Sequence, residues 1–252
     1  MKEIPEKVKK RVGELQRWAG KRYLKALGLL HKPLACDRTN DPFDMAWKVF
    51  VDMANGIPKA RVLEIGAGIL PNTLCKRGLF KNCESYTGFD IHKGENVDVV
   101  GDAHFLSRYF ASDSFHVVFS NSVFEHLLMP WKVALEINKV LKTGGIVAVT
   151  THPAWPPHEL PWDFWRFQPN SFMSLFNKYT GFELLESKGG VPGRLYGLTK
   201  DLLRPVQSIH RFPVELCVIA IAKKTHDYDG NALKWDADVT GITDTMYPFR
   251  HR

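Results

Sequence analysis

The sequence predicts an α/β fold, a mostly parallel sheet with helices on both faces, and three observations predict it. From residue 60 onward, short apolar runs alternate with helical patterns, as strand–helix–strand units do. Runs such as "VLEI", "HVVF" and "IVAV" are almost continuously apolar, as expected of strands buried on both sides. The glycines of "VLEIGAG" close the first run where a strand would turn into a helix, a place that needs a backbone free of side-chain hindrance.

The elements follow in order. Residues 5–30 place apolar side chains at Val8, Val12, Leu15, Ala19, Tyr23, Ala26 and Leu30, the spacing of an amphipathic helix. "HKPLACDRTNDPFD" is a loop rich in turn formers, and "PFDMAWKVFVDMANGIPK" reads as a second helix closed by Gly56 and Pro58. Strands are then expected at "ARVLEI", "SYTGFDI", "VDVV", "FHVVFSNS", "IVAVTT", "FELLES" and "VELCVIAIAKK". Helices are expected at "ILPNTLCKRGLF", "SVFEHLLMPWKVALEINKVLKTGG", "NSFMSLFNKYTGF" and "RLYGLTKDLLRPVQSI". Three parts follow: a helical arm over 1–58, the α/β domain over 59–225 and a tail over 226–252 that packs on it.

Composition narrows the function. The chain has 252 residues, 44% hydrophobic and 24% charged, an ordinary globular balance. Its charge of +7 is carried by residues 1–33, with ten Lys/Arg against three Glu. A nucleic-acid-binding domain would spread that charge over a face, so nucleic acid is not the expected partner. The arm suits an anionic or peripheral membrane contact. The longest apolar run, "VELCVIAIA", is too short to cross a bilayer. The charged N-terminal stretch lacks the apolar segment of a secretory leader. The four cysteines form no CxxC pair, which suits a reduced, cytoplasmic setting and no zinc site of that type.

The first glycine turn points to a nucleoside. Gly66 and Gly68 open it, and Asp90 ends the second strand, where a carboxylate can hold a ribose diol. The dinucleotide fingerprint wants a third glycine where Pro71 stands, which disfavours a nicotinamide cofactor. Glu64 would repel a pyrophosphate and suit a cationic ligand.

The stretches "VLEIGAG", "GFDI", "VVGDAHFL" and "FHVVFSNSVFEHLLMPWKVALEINKVLKTGGIVAVT" resemble the class I S-adenosylmethionine-dependent methyltransferases of the type 11 kind. The resemblance covers about residues 60–225. It implies a Rossmann-like seven-stranded sheet with an antiparallel last strand, and S-adenosylmethionine as cofactor. It implies that Glu64, Gly66 and Gly68 line the methionine part, and that Asp90 with Ile91 holds the ribose. Asp102 and Ala103 would meet the adenine, and Ser120 and Asn121 would lie near the sulfonium.

The acceptor is narrowed by what is missing. Enzymes of this family that methylate base amino groups carry D/N-P-P-Y/F after the fourth strand, where this chain reads "SNSV". No cysteine follows the fourth or fifth strand within reach of that site to serve pyrimidine C5 methylation. A small-molecule or glycan hydroxyl remains, and a hydroxyl needs a proton acceptor. The segment "TTHPAWPPHELPWDFWRFQP" follows the fifth strand, with five prolines and three tryptophans. Its "HELPWDFWRFQP" resembles a polysaccharide and cell-envelope branch of the family, with Gln168 where that branch has Thr. His158 is the expected base, and Asp163 a second base or the group that orients it. His126 and His152 are read as structural. A metal held by His152, His158 and Asp163 is not expected, since that set does not suit a hard cation. RNA or protein methylation guided by the arm, a nucleoside-binding module without chemistry, and a homodimer stay open.

Overall fold

The computed structural model describes residues 38–69, 74–193 and 214–231, together with five helical positions near the N-terminus, Arg11, Glu14, Leu15, Trp18 and Arg22. The chain divides into two compact units, Met1–Thr39 and Asn40–Arg252. The boundary expected at 58/59 therefore falls inside the second unit. The expected helix over 194–209 and most of the tail lie outside the described residues.

Seven strands form one sheet: β1 (Ala60–Ile65), β2 (Cys83–Asp90), β3 (Val99–Val100), β4 (Phe115–Asn121), β5 (Leu141–Thr151), β6 (Phe182–Gly193) and β7 (Val214–Lys224). Their spatial order is β3-β2-β1-β4-β5-β7-β6. Strands β1 to β5 pair in parallel, and β7 runs antiparallel between β5 and β6. The chain leaves β1 toward β2 and returns on the other side at β4. The carboxyl ends of β1 and β4 are thus the switch point, where open α/β sheets bind ligands.

Side chains alternate between two cores. Leu63, Ile65, Val118, Val147, Val149, Val218 and Ala220 enter one, and Val62, Val117, Phe119, Ile146, Ala148, Ile219 and Ile221 the other. Helix α1 (Pro42–Asn55) covers the second through Ala46, Phe50 and Ala54, spaced by four. It starts where Asp41 accepts from the Phe43 amide at 3.0 Å, with Pro42 in the first turn. The other Asp41 oxygen accepts from the Val191 amide on β6 at 2.8 Å, so the cap also ties helix to sheet. Helix α2 (Pro130–Val140) covers the first core. Its buried Glu136 accepts from the Ser107 amide and hydroxyl at 2.8 and 2.7 Å and from Lys139 at 2.6 Å, clasping the 103–108 turn. Lys224, fully buried, donates to the Asn138 and Leu141 carbonyls at 2.8 and 2.7 Å.

Several expected helices are shorter or broken. Over 69–80, residues 70–73 lie outside the described residues, and the remainder holds only a 3-10 turn at Arg77–Leu79. The helix expected over 122–145 is a 3-10 turn, Phe124–His126, followed by α2, and residues from Leu141 belong to β5. Pro130 is the reason for its late start, because proline forces the residue before it out of helical conformation, and Met129 has φ −129° and ψ 75°. The helix expected over 170–182 is two 3-10 turns, the second capped by Asn177.

Burial pushes the Glu136 carboxyl up, but the bonds from Lys139 and Ser107 outweigh it and hold it below the ordinary range. A depressed carboxyl stabilises the fold above its unfolded value, about 4.3, and loses that contribution as pH falls through its folded value. Glu136→Gln should therefore cost about 1–2 kcal/mol at pH 7. The gap between variant and wild-type melting curves should narrow below about pH 4.

Candidate active site

The turn after β1 shapes the first half of the site. Gly66 has φ +80°, and a Cβ there would lie 2.1 Å from Val123 Cγ2. Its amide and that of Ala67 donate to the Phe89 carbonyl at 2.8 and 3.1 Å, bending the chain across β2. The Gly68 amide donates to Asp90 Oδ2 at 3.0 Å, and a Cβ on Gly68 would meet that same oxygen at 3.0 Å. The other Asp90 oxygen accepts from the His92 amide at 2.9 Å. Ile91 stands beside it with its side chain exposed. The Gly101 amide donates to the Asp90 carbonyl at 2.8 Å, which brings Asp102 alongside. Asp102 caps the 103–108 turn, accepting from the His104 amide at 2.9 Å and its ring at 2.6 Å. Burial raises the Asp102 carboxyl, and the His104 bonds bring it net below the usual range.

Two of the expected residues also have partners within the fold. The Glu64 carboxylate is buried and accepts from the Tyr86 hydroxyl and from Asn96. Burial pushes its carboxyl up, against the bond from Tyr86. Glu64 thus braces the turn through Oε2, which takes both bonds. The Ala103 side chain is part of the first core, which leaves its main chain for an adenine.

Ser120 and Asn121 end β4 beside Ile65 and Thr150. Asn121 accepts from the Thr150 hydroxyl at 2.8 Å. The Ser120 hydroxyl is buried and has no hydrogen-bond partner. Ser122 follows at φ +54°, a left-handed conformation that non-glycine residues adopt at a cost of about 1–3 kcal/mol and that clusters at functional sites. A nucleoside cofactor fits these residues: an orphaned hydroxyl, a glycine cradle too tight for a Cβ, and a carboxylate at the end of β2.

The segment after β5 forms the second half. Arg166 grips Asp163 with both terminal nitrogens, at 2.6 and 2.7 Å, and also donates to the Trp155 and Pro156 carbonyls. Asp163 Oδ2 accepts from the His158 amide at 2.9 Å. The Arg166 guanidinium holds the Asp163 carboxyl well below the usual carboxylate range. A carboxylate so engaged is a poor proton acceptor. The base reading of Asp163 therefore gives way to that of an orienter, which bonds a backbone amide and pairs with Arg166, the alternative its place in the sequence also allows.

The loop is also stapled to the helix turn after β4. The Glu125 carbonyl accepts from the Phe164 and Trp165 amides at 2.8 and 3.1 Å. The Trp165 indole donates to the Leu127 carbonyl at 2.8 Å, and Phe167 packs into the core. His158 and His126 stand edge to face with ring centres 4.7 Å apart. Trp155 stacks on His152 at 4.6 Å, while Trp155, Leu160 and Trp162 remain exposed. Glu125 was missed at the sequence level. An acid in a helical pattern reads as solvated, yet it is fully buried, and only its apolar neighbours Phe124 and Leu127 hint at this.

Comparison with known proteins gives this fold and glycine turn a class. Residues 63–149 match the family model described as a methyltransferase domain. The chain is accordingly an enzyme of that class, with S-adenosylmethionine as its cofactor. No curated protein matches it by sequence. Among solved structures, it is similar to a Bacillus halodurans C-125 protein provisionally named a methyltransferase, at 14% identity and a TM-score of 0.51, covering 71% of this chain and 97% of that one. It is also similar to a SAM-dependent methyltransferase from Archaeoglobus fulgidus, at 16% identity and a TM-score of 0.50, covering 71% and 92%. At these identities the likeness concerns the fold.

Two substitutions test the two halves. Asp90→Ala should weaken S-adenosylhomocysteine binding about 10- to 100-fold, as loss of a charged hydrogen-bonding group does, with little change in melting temperature without ligand. Asp163→Ala should raise hydrogen exchange at the amides of residues 158–166 while α2 keeps its protection.

Proposed function

We propose that the protein transfers a methyl group to a hydroxyl oxygen of a sugar, glycan or similar small molecule. One observation carries the reading. An aromatic loop containing His158 is pinned by Asp163, Arg166 and the Glu125 carbonyl to the turn that follows β4. Exposed Trp155 and Trp162 on this loop give flat apolar faces of the kind that pack on sugar rings.

Bound S-adenosylmethionine supplies a methyl carbon on a positively charged sulfur, open to in-line attack. Asp90 holds the ribose, the Gly66–Gly68 turn admits the methionine part, and Ser120 offers its unpartnered hydroxyl. Asp163 and Arg166 fix the loop so that His158 addresses the acceptor hydroxyl, whose proton must leave as its oxygen bonds to the methyl carbon. His158 Nδ1 faces the Pro156 carbonyl at 3.2 Å. If that nitrogen carries the ring hydrogen, the Nε2 lone pair is free for the acceptor side. The basic stretch 1–33 fits docking to an anionic surface or acceptor, and a cytoplasmic setting accords with this chemistry. Among the described residues no helix is long and apolar enough to cross a membrane.

Thermal shift is the first test: S-adenosylhomocysteine should raise the melting temperature and NAD should not. His158→Ala should lower turnover by at least about 100-fold while S-adenosylhomocysteine binding persists. Unchanged turnover would remove His158 from the mechanism. A methyl product labile to mild alkali would indicate an ester, against the base-stable ether expected of a sugar hydroxyl.

A further inference from the structure

Beside the loop, three side chains from two elements converge. Glu125 and His126 come from the 3-10 turn after β4, and His158 comes from the loop after β5. Each offers one ligand atom, and the three atoms lie within 4.8 Å of one another. Two ligands of one zinc-sized ion, each about 2.1 Å from it, are separated by at most about 4.2 Å, so a small closure completes the set. We propose that Glu125, His126 and His158 bind a divalent transition-metal ion of the zinc or manganese class.

Two further observations point to a cation. Glu125 is fully buried, and its Oε1 has no hydrogen-bond partner, while Oε2 accepts from the Thr151 hydroxyl at 2.6 Å. The nearest positive candidate to Oε1 is His152 Nε2, at 3.7 Å, beyond hydrogen-bond reach. A buried carboxylate oxygen left this way is costly unless something charged meets it. Both ligand histidines also have main-chain carbonyls at Nδ1, Trp162 for His126 and Pro156 for His158. A carbonyl accepts a hydrogen, so with the ring proton on Nδ1 each Nε2 lone pair is open to a cation, and Glu159 Oε2 stands 3.7 Å from that of His126. Histidine ligands are oriented by outer partners in this manner.

The donor set decides the ion. Two imidazole nitrogens and one carboxylate suit zinc, manganese or iron(II), whereas magnesium and calcium take oxygen ligands. Three protein ligands leave coordination positions open. For the ion's role the inference rests on the proposed O-methylation: with the ion bound, His158 would serve as its ligand in place of base, and an acceptor hydroxyl held there would become acidic enough to lose its proton to solvent water.

The test is metal binding by the full chain after dialysis against a chelator. Zinc titration followed by calorimetry should show one equivalent bound, with magnesium unable to compete. Glu125→Gln, His126→Ala and His158→Ala should each weaken binding by more than about 10-fold, and His226→Ala should not. Cobalt(II) loading of the wild type should give visible absorption bands that zinc abolishes, a readout independent of variant folding. No stoichiometric binding, or binding unchanged in all three variants, would overturn the site. If zinc binds as described but S-adenosylhomocysteine gives no thermal shift, the metal site stands and the methyl-transfer reading fails.

Discussion

Strands β1 and β4 are covered on both faces, and this constraint organises the molecule. A parallel strand in such a position can carry little but apolar side chains along its length. Chemistry is then possible only where the strands end. Ile65 and Ser120 are register partners at that edge, and the turns leaving them, at Gly66 and Ser122, both have positive φ. The buried sheet therefore determines where the polar groups stand, and the turns determine which way they point.

The loop after β5 solves a related problem. Five prolines deny it a regular hydrogen-bond ladder, so its backbone groups need other partners. The Asp163–Arg166 pair serves as a central post. It collects the His158 amide and the Trp155 and Pro156 carbonyls. The Glu125 carbonyl and the Trp165 indole complete the attachment on the opposite side. An aromatic, irregular segment is thereby tied down by side chains, with Trp155 and Trp162 left exposed.

Unsatisfied atoms are informative because most buried polar atoms have partners. Two of those among the described residues, Ser120 Oγ and Glu125 Oε1, lie at this same edge. One stands beside the glycine turn and the other beside paired histidines. The fold holds both in place without satisfying either.

Much of this was legible in the sequence. The seven strands, the glycine turn, Asp90 at the second strand end and the placement of the proline-rich loop all follow from local pattern, because buried strands and tight turns restrict residue type strongly. Helix extents were read less well. Pro130 and Asn177 end or restart helical runs in ways that periodicity alone does not count. That Tyr86 and Asn96 both bond Glu64 Oε2 is likewise not revealed by its position along the chain.

The sequence by itself determined the fold class and the edge at which the chemistry stands, since alternation and glycine placement are local consequences of burial and backbone freedom. Only the tertiary structure decided which side chains act together. Glu125 and His158 are 33 positions apart, and Asp163 and His158 are separated by a bend of the loop. Whether such groups meet depends on how strand ends and loops pack in space, which no sequence spacing records.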